Sequence, residues 1–140
     1  MTYANPAPIM VYDGDCGFCT RSVRFVLARD RKRLLCFASR DGVAGQGVRT
    51  RHPELQVVES LLWVERVNGV ERVLIHSDAV LAVAAYLGGI YGVLAKLGAL
   101  VPRALRDPAY MGVAKVRRSL MGSASSCLLP SPAELGRMLP

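Results

Sequence analysis

With 140 residues, 51% of them hydrophobic, the chain has the apolar material for the core of one domain, and its composition excludes a disordered segment. The formal net charge of +7 comes from one stretch, because residues 21–51 hold nine Lys or Arg against Asp30 and Asp41 and the remainder is near balance. No aromatic-rich or zinc-finger pattern accompanies that stretch, so it reads first as a solvated helix face. Specific nucleic-acid binding is not expected, whereas anionic thiols or acidic proteins are partners that such a surface would draw.

Residues 1–8 contain no Lys or Arg and no apolar run before a small-residue cleavage site, unlike a secretory leader. Of four cysteines only Cys16 and Cys19 are close in sequence, while Cys36 and Cys127 stand alone. A cycling pair in a reducing, cytoplasmic setting fits this spacing better than a disulfide framework does.

In chain order, residues 9–12 form a short apolar run without alternation, which predicts a strand covered on both faces. It ends in Asp13-Gly14-Asp15-Cys16-Gly17-Phe18-Cys19, a turn followed by a helix start. Exposed N–H groups and the dipole at a helix N-terminus favour a thiolate, and Cys16 is the better nucleophile of the two. Helical spacing from Gly17 places Cys19 with Val23, Val26 and Leu27 on one stripe and Arg21, Arg24, Ala28 and Arg31 on another, so Cys19 is expected on the inward side. An exposed first thiol and a protected second one is the division a dithiol exchanger uses. The same spacing also serves half of a zinc site, but a closed site needs two further ligands and there is no second pair.

Residues 34–38 read as a strand parallel to the first, with Cys36 as a small buried apolar side chain. Residues 39–56, punctuated by Gly42, Gly45, Gly47 and Pro53, read as a loop with at most a short helix, and His52 as an exposed loop side chain. Residues 60–67 and 70–76 flank Asn68-Gly69, the signature of a type I′ hairpin. Ser77-Asp78 then precedes an apolar run, where either side chain can cap a helix. The seventeen uncharged residues 79–95 are short for a membrane span and carry Gly88-Gly89, so two joined helices explain them better. Pro102 and Pro108 follow, then a helix over about 109–121 stopped by Gly122, and a proline-containing tail with Cys127 that wraps and ends in a short turn.

Strand, helix, strand, loop, antiparallel hairpin and helices, with a Cys pair at the first strand-to-helix turn, is the thioredoxin-like order. The expected fold class is α/β, a small mixed sheet of a parallel pair plus a hairpin with flanking helices. A single domain is expected, its core over about 8–101 and a helical extension over about 102–140. The sequence also resembles the thiol-disulfide oxidoreductase DCC family, whose Asp-x-x-Cys-x-x-Cys signature Asp13, Cys16 and Cys19 match. Tyr12, Gly14, Asp15, Gly17 and Phe18 extend the likeness, as do Ser77-Asp78-Ala79, Gly88-Gly89, Pro102, Arg103, Asp107, Tyr110, Arg117, Gly122 and Cys127.

The resemblance implies thiol-disulfide exchange at Cys16 and Cys19. Asp13, at the strand end, completes the candidate catalytic set as a proton relay for Cys19, with a structural hydrogen bond to the turn as the equal alternative. Asp15, which also suits a turn, is assigned with Phe18, Ser60, Ser77 and Asp78 to substrate contact. Ser77-Asp78 is similar to the place where glutaredoxins and glutathione transferases hold the charged end of glutathione, which makes glutathione a candidate co-substrate. No tightly bound cofactor and no metal are expected, the partner being a disulfide-containing protein or a small thiol. One departure is visible: thioredoxin-like proteins usually carry a cis-proline before the hairpin, and Val58-Glu59-Ser60 has none. A glutathione-binding module and a noncatalytic interaction or metal-binding module are the alternatives.

Overall fold

A computed structural model of the chain describes residues 7–13, 17–58, 61–121 and 136–139, with the side chains of 17–20 and 117–121 left aside. Strand β1 (Ile9–Tyr12) leads to helix α1 (Gly17–Arg29), and β2 (Cys36–Ser39) to α2 (Val43–Arg51) and a 3₁₀ helix (Pro53–Val57). The hairpin β3 (Leu62–Val67) and β4 (Val70–Leu74) precedes α3 (His76–Leu87), α4 (Gly89–Ala99), α5 (Arg103–Met121) and β5 (Met138–Leu139). These strands make one mixed sheet in the order β4-β3-β1-β2-β5. β1 runs parallel to β2 and antiparallel to β3, and β5 runs parallel to β2. This is the thioredoxin-like α/β arrangement expected from the element order.

Because strand side chains alternate, the sheet separates two cores. Met10, Tyr12, Phe37 and Trp63 point to one face, where Val23, Val26 and Leu27 of α1 and Ala79 and Val83 of α3 cover them. Val11, Ala38, Leu62 and Val64 point to the other, under Val48 of α2 and Leu55 of the 3₁₀ helix. β1 is thus buried on both sides, as its unbroken apolar run predicts. On α1 the described stripe Val23, Val26 and Leu27 is buried, while Arg21, Arg24 and Ala28 are exposed, as is Arg31 just beyond the helix.

The hairpin turns at Asn68 (φ 53°) and Gly69 (φ 79°), the two positive values a type I′ turn requires. The uncharged stretch is divided into α3 and α4 at Gly88 (φ 69°), and among the described residues no helix is long and apolar enough to cross a membrane. Four expectations are corrected. Residues 39–56 are largely helical: Gly45 sits in α2 because the helix presses on the backbone of the preceding turn, where an added Cβ would overlap Ser39 O and come within 2.7 Å of Arg40 O. His52 is half-buried at the end of α2, its Nε2 2.8 Å from Glu71 Oε1 of β4. α5 begins at Arg103 and takes Pro108 inside it, its first turn anchored by Pro102 O, which accepts from the N–H groups of Leu105 (2.9 Å) and Arg106 (3.1 Å). The tail does not end at its turn, since Gly136 and Arg137 lead into β5, and Phe37 N–H donates to Arg137 O at 2.8 Å.

A buried carboxylate joins these pieces. Asp30, at the end of α1, accepts from Arg33 N–H and Tyr86 Oη at 2.9 Å, and Arg137 Nη1 lies 2.5 Å from its other oxygen. Tyr86 Oη in turn accepts from Leu35 N–H at 2.9 Å. A charge taken out of water needs this degree of pairing to be tolerated.

Candidate functional site

The topology brings the described candidates Asp13, Ser77 and Asp78 to one end of the sheet. Val11 of β1 pairs with Leu62 at the start of β3, and Trp63 pairs with Leu74 at the end of β4. The C-terminal end of β1, the N-terminal end of β3 and the C-terminal end of β4 therefore lie together, and both α1 and α3 depart from that end. Asp13 stands there directly after β1, and Ser77 and Asp78 stand in the first turn of α3. Cys19 is the third residue of α1 and Phe18 the second, placed by their backbone alone. Asp15, Cys16 and Ser60 lie outside the described residues, as does Cys127, and so do the side chains of Phe18 and Cys19.

Asp13 is mostly buried, and its Oδ2 lies 3.9 Å from Arg40 Nη2. Arg40 was not among the sequence candidates, yet the parallel register carried the signal: Tyr12 aligns with Ser39, so the residue after each strand meets the other. Arg40 N–H also donates to Tyr12 O at 2.7 Å, which ties the turn after β2 to the strand end that leads into the motif.

Ser77 and Asp78 do not cap α3. The cap position is Ile75, with no side-chain hydrogen bond, and His76 opens the helix at φ 52°. Both side chains instead reach across to α5. Ser77 Oγ donates to Asp107 Oδ1, and Asp78 is held by Arg103 Nη2 at 2.6 Å and Arg106 Nη1 at 3.0 Å. The hydrogen bond from Ser77 holds the Asp107 carboxyl below the usual carboxylate range. Tyr110, one turn further along α5, stacks obliquely on His76 with ring centroids 5.6 Å apart, and its hydroxyl accepts from Leu61 N–H at 3.3 Å. Arg106, which joins this latch, is a further residue that sequence reasoning passed over. Its cue was its place between Arg103 and Asp107 on one helical turn.

Cys36 belongs elsewhere. It begins β2 opposite Ile9, at the far end of the strand pair from Asp13, and is half-buried rather than fully enclosed. Burial pushes its thiol pKa up, with Arg137 opposing, so it is a poor thiolate at neutral pH. Among the described residues no group of three His, Cys, Asp or Glu side chains converges as a metal site.

Comparison with known proteins gives a consistent result. Residues 10–123 match the model of the DCC1-like thiol-disulfide oxidoreductase family. The chain is 30% identical over 136 residues to the uncharacterized protein YuxK of Bacillus subtilis, covering 96% of both chains. It is 32% identical over 123 residues to the DCC family protein At1g52590, chloroplastic, of Arabidopsis thaliana, covering 87% of this chain and 69% of that one. No solved structure matches significantly.

Proposed function

The chain belongs to the DCC1-like thiol-disulfide oxidoreductase family, and from that premise we propose that Cys16 and Cys19 form the dithiol that exchanges with a substrate disulfide. The observation that supports this reading is the β1-to-α1 junction: a strand buried on both faces delivers Asp13 to the sheet end, and α1 starts at Gly17, between the positions of Asp13 and Cys19. Partial positive charge there stabilises a thiolate.

In the proposed cycle, the Cys16 thiolate attacks one sulfur of the substrate disulfide. A mixed disulfide forms and the first product leaves as thiolate. Cys19, deprotonated as it reacts, attacks Cys16 Sγ and releases the second product thiol, so the protein pair loses two electrons and the substrate gains them. A second dithiol or two small thiols must reduce the Cys16–Cys19 bond to complete turnover. Asp13 is the proposed acceptor of the Cys19 proton, with Arg40 positioning its carboxylate. Asp15, Phe18 and Ser60 are the proposed contacts to the substrate. Glutathione binding at Ser77 and Asp78 would have to replace bonds that these residues make to α5.

Rapid alkylation of wild-type and variant chains across pH tests the reading. Cys16 is expected to react much faster than Cys36 at neutral pH. Cys16→Ser is expected to abolish disulfide reduction, and Cys19→Ser to accumulate the mixed disulfide. Unchanged turnover in Cys16→Ser would overturn the assignment.

A further inference from the structure

α1, α3 and α5 do not close fully over Met10 and Tyr12. They leave a cavity of about 440 Å³, inside the roughly 300–1,000 Å³ range of small-molecule sites. Three helices each contribute an aromatic ring to its wall: Phe25 from α1, Tyr91 from α4 and Tyr110 from α5. Phe25 meets Tyr91 edge-on, with 5.7 Å between centroids. Tyr91 Oη accepts from Arg29 Nε at 2.8 Å and Tyr110 Oη from Leu61 N–H, so these rings are fixed by the protein before any ligand enters.

The wall offers a ligand no free charge. Arg21 and Ser22, the polar residues that α1 brings to it, already have interaction partners. Charges of both signs gather at that end of the helix, Asp13 and Asp15 before it and Arg21 and Arg24 within it, and Asp13 lies 3.9 Å from Arg40. An ionised ligand would leave water for apolar surroundings without a counter-charge, which is costly, so the enclosure selects a neutral one.

Tyr12 is the polar group left over. It lines the cavity, is only 8% exposed, and its hydroxyl has no hydrogen-bond partner among the described residues. Its oxygen is not sealed in the core either, so the cavity is the space it meets. Burial pushes the phenol pKa up with nothing to oppose it, which keeps the group a protonated donor at neutral pH. A desolvated donor lacking an acceptor costs free energy that a ligand oxygen can restore.

We propose that this cavity binds a small neutral molecule with an aromatic body and a carbonyl group, the body lying among Phe25, Tyr91 and Tyr110 and the carbonyl oxygen accepting from Tyr12 Oη. The inference does not rest on dithiol chemistry.

Equilibrium dialysis of the full chain against 2-acetylnaphthalene tests this, with 2-isopropenylnaphthalene as a control of the same shape without an acceptor and 2-naphthoate as a charged one. Wild type is expected to bind the ketone saturably at one site, and naphthoate about tenfold more weakly. Tyr12→Phe removes only a hydroxyl without a partner and so keeps the fold. It is expected to lose affinity for the ketone about fivefold and to leave the hydrocarbon unchanged. Ala114→Trp fills the space from α5 and is expected to abolish binding of both neutral probes. Ala84→Phe fills it from α3 and serves if the first filling variant does not fold, judged by circular dichroism and urea midpoint. Absence of saturable ketone binding to wild type overturns the proposal, as does undiminished binding in a folded filling variant. Naphthoate bound as tightly as the ketone overturns the neutral class, and a Tyr12→Phe variant that binds the ketone as wild type does overturns the role of Tyr12.

Discussion

On one face of the sheet α2 and the 3₁₀ helix press so closely that Gly45 has no room for a side chain, whereas on the other α1, α3 and α5 stand apart over Tyr12 and enclose a cavity. The closed face is sealed by small apolar contacts at Val48 and Leu55 and pinned at its rim by Arg51 and His52 on Glu71. The open face is held at its margins by polar fastenings, Asp30 with Arg137 and Tyr86 at one end of the helices and Ser77–Asp78 with α5 at the other. Fastening helices by their ends leaves the space between them available, and that space adjoins the strand end from which the Cys motif departs. Packing density therefore separates the part of the molecule that only supports from the part with room for a ligand.

The contrast can be broken most strongly at Asp30. Asp30→Ala removes a fully buried carboxylate and strands Arg137 and Tyr86, with an expected loss of about 3–5 kcal/mol in urea unfolding. A cost below about 1 kcal/mol would show that the open face does not depend on its fastenings. Gly45→Ala forces α2 away from Ser39 and Arg40 and should cost about 1–3 kcal/mol. Cavity-filling Ala114→Trp, by comparison, should leave the urea midpoint near that of wild type. If Gly45→Ala proves silent, the closed face is not closed.

The smallest effect is at the rim. Burial opposes ionisation of Glu71, but the hydrogen bonds and charges of Arg51 and His52 together hold its carboxyl below the usual value. A folded-state pKa below that of the unfolded chain contributes stability above pH 4.5, the ordinary value, and loses it as pH falls through the folded one. Arg51 is half-exposed, so Glu71→Gln is expected to cost only about 0.5–1 kcal/mol at pH 7. The difference from wild type should shrink as pH falls below 4.5 in the same urea assay, and a difference that did not change with pH would mean packing, not charge, holds the rim.

Elements specified by neighbouring residues were legible from sequence. Asn68-Gly69 dictates its own turn, the apolar run at 9–12 announces a strand covered on both sides, and the stripe on α1 follows from spacing alone. The misread elements depend on partners distant in the chain. Gly45 and Gly47 lower helix propensity and look like a loop until the nearness of Ser39 and Arg40 explains why only glycine fits at Gly45. Pro108 reads as a helix boundary until Arg103, Arg106 and Asp107 are found bound to α3. Ser77 and Asp78 have the composition of a cap, and a cap is a local device, whereas their actual bonds span about thirty residues. Of the candidate site, the passage from β1 through Asp13 into a helix was legible, while Arg40 became visible only through strand register.

The pairing of Asp30 with Arg137 crosses 107 positions of the chain. During synthesis, α1 and β2 emerge from the ribosome long before the guanidinium that neutralises this carboxylate, and before Met138 and Leu139 can occupy the free edge of β2. The nascent domain thus passes through a stage with an uncompensated acid and an open strand edge. A stalled or truncated translation product would expose the surface on which chaperones act and aggregates grow.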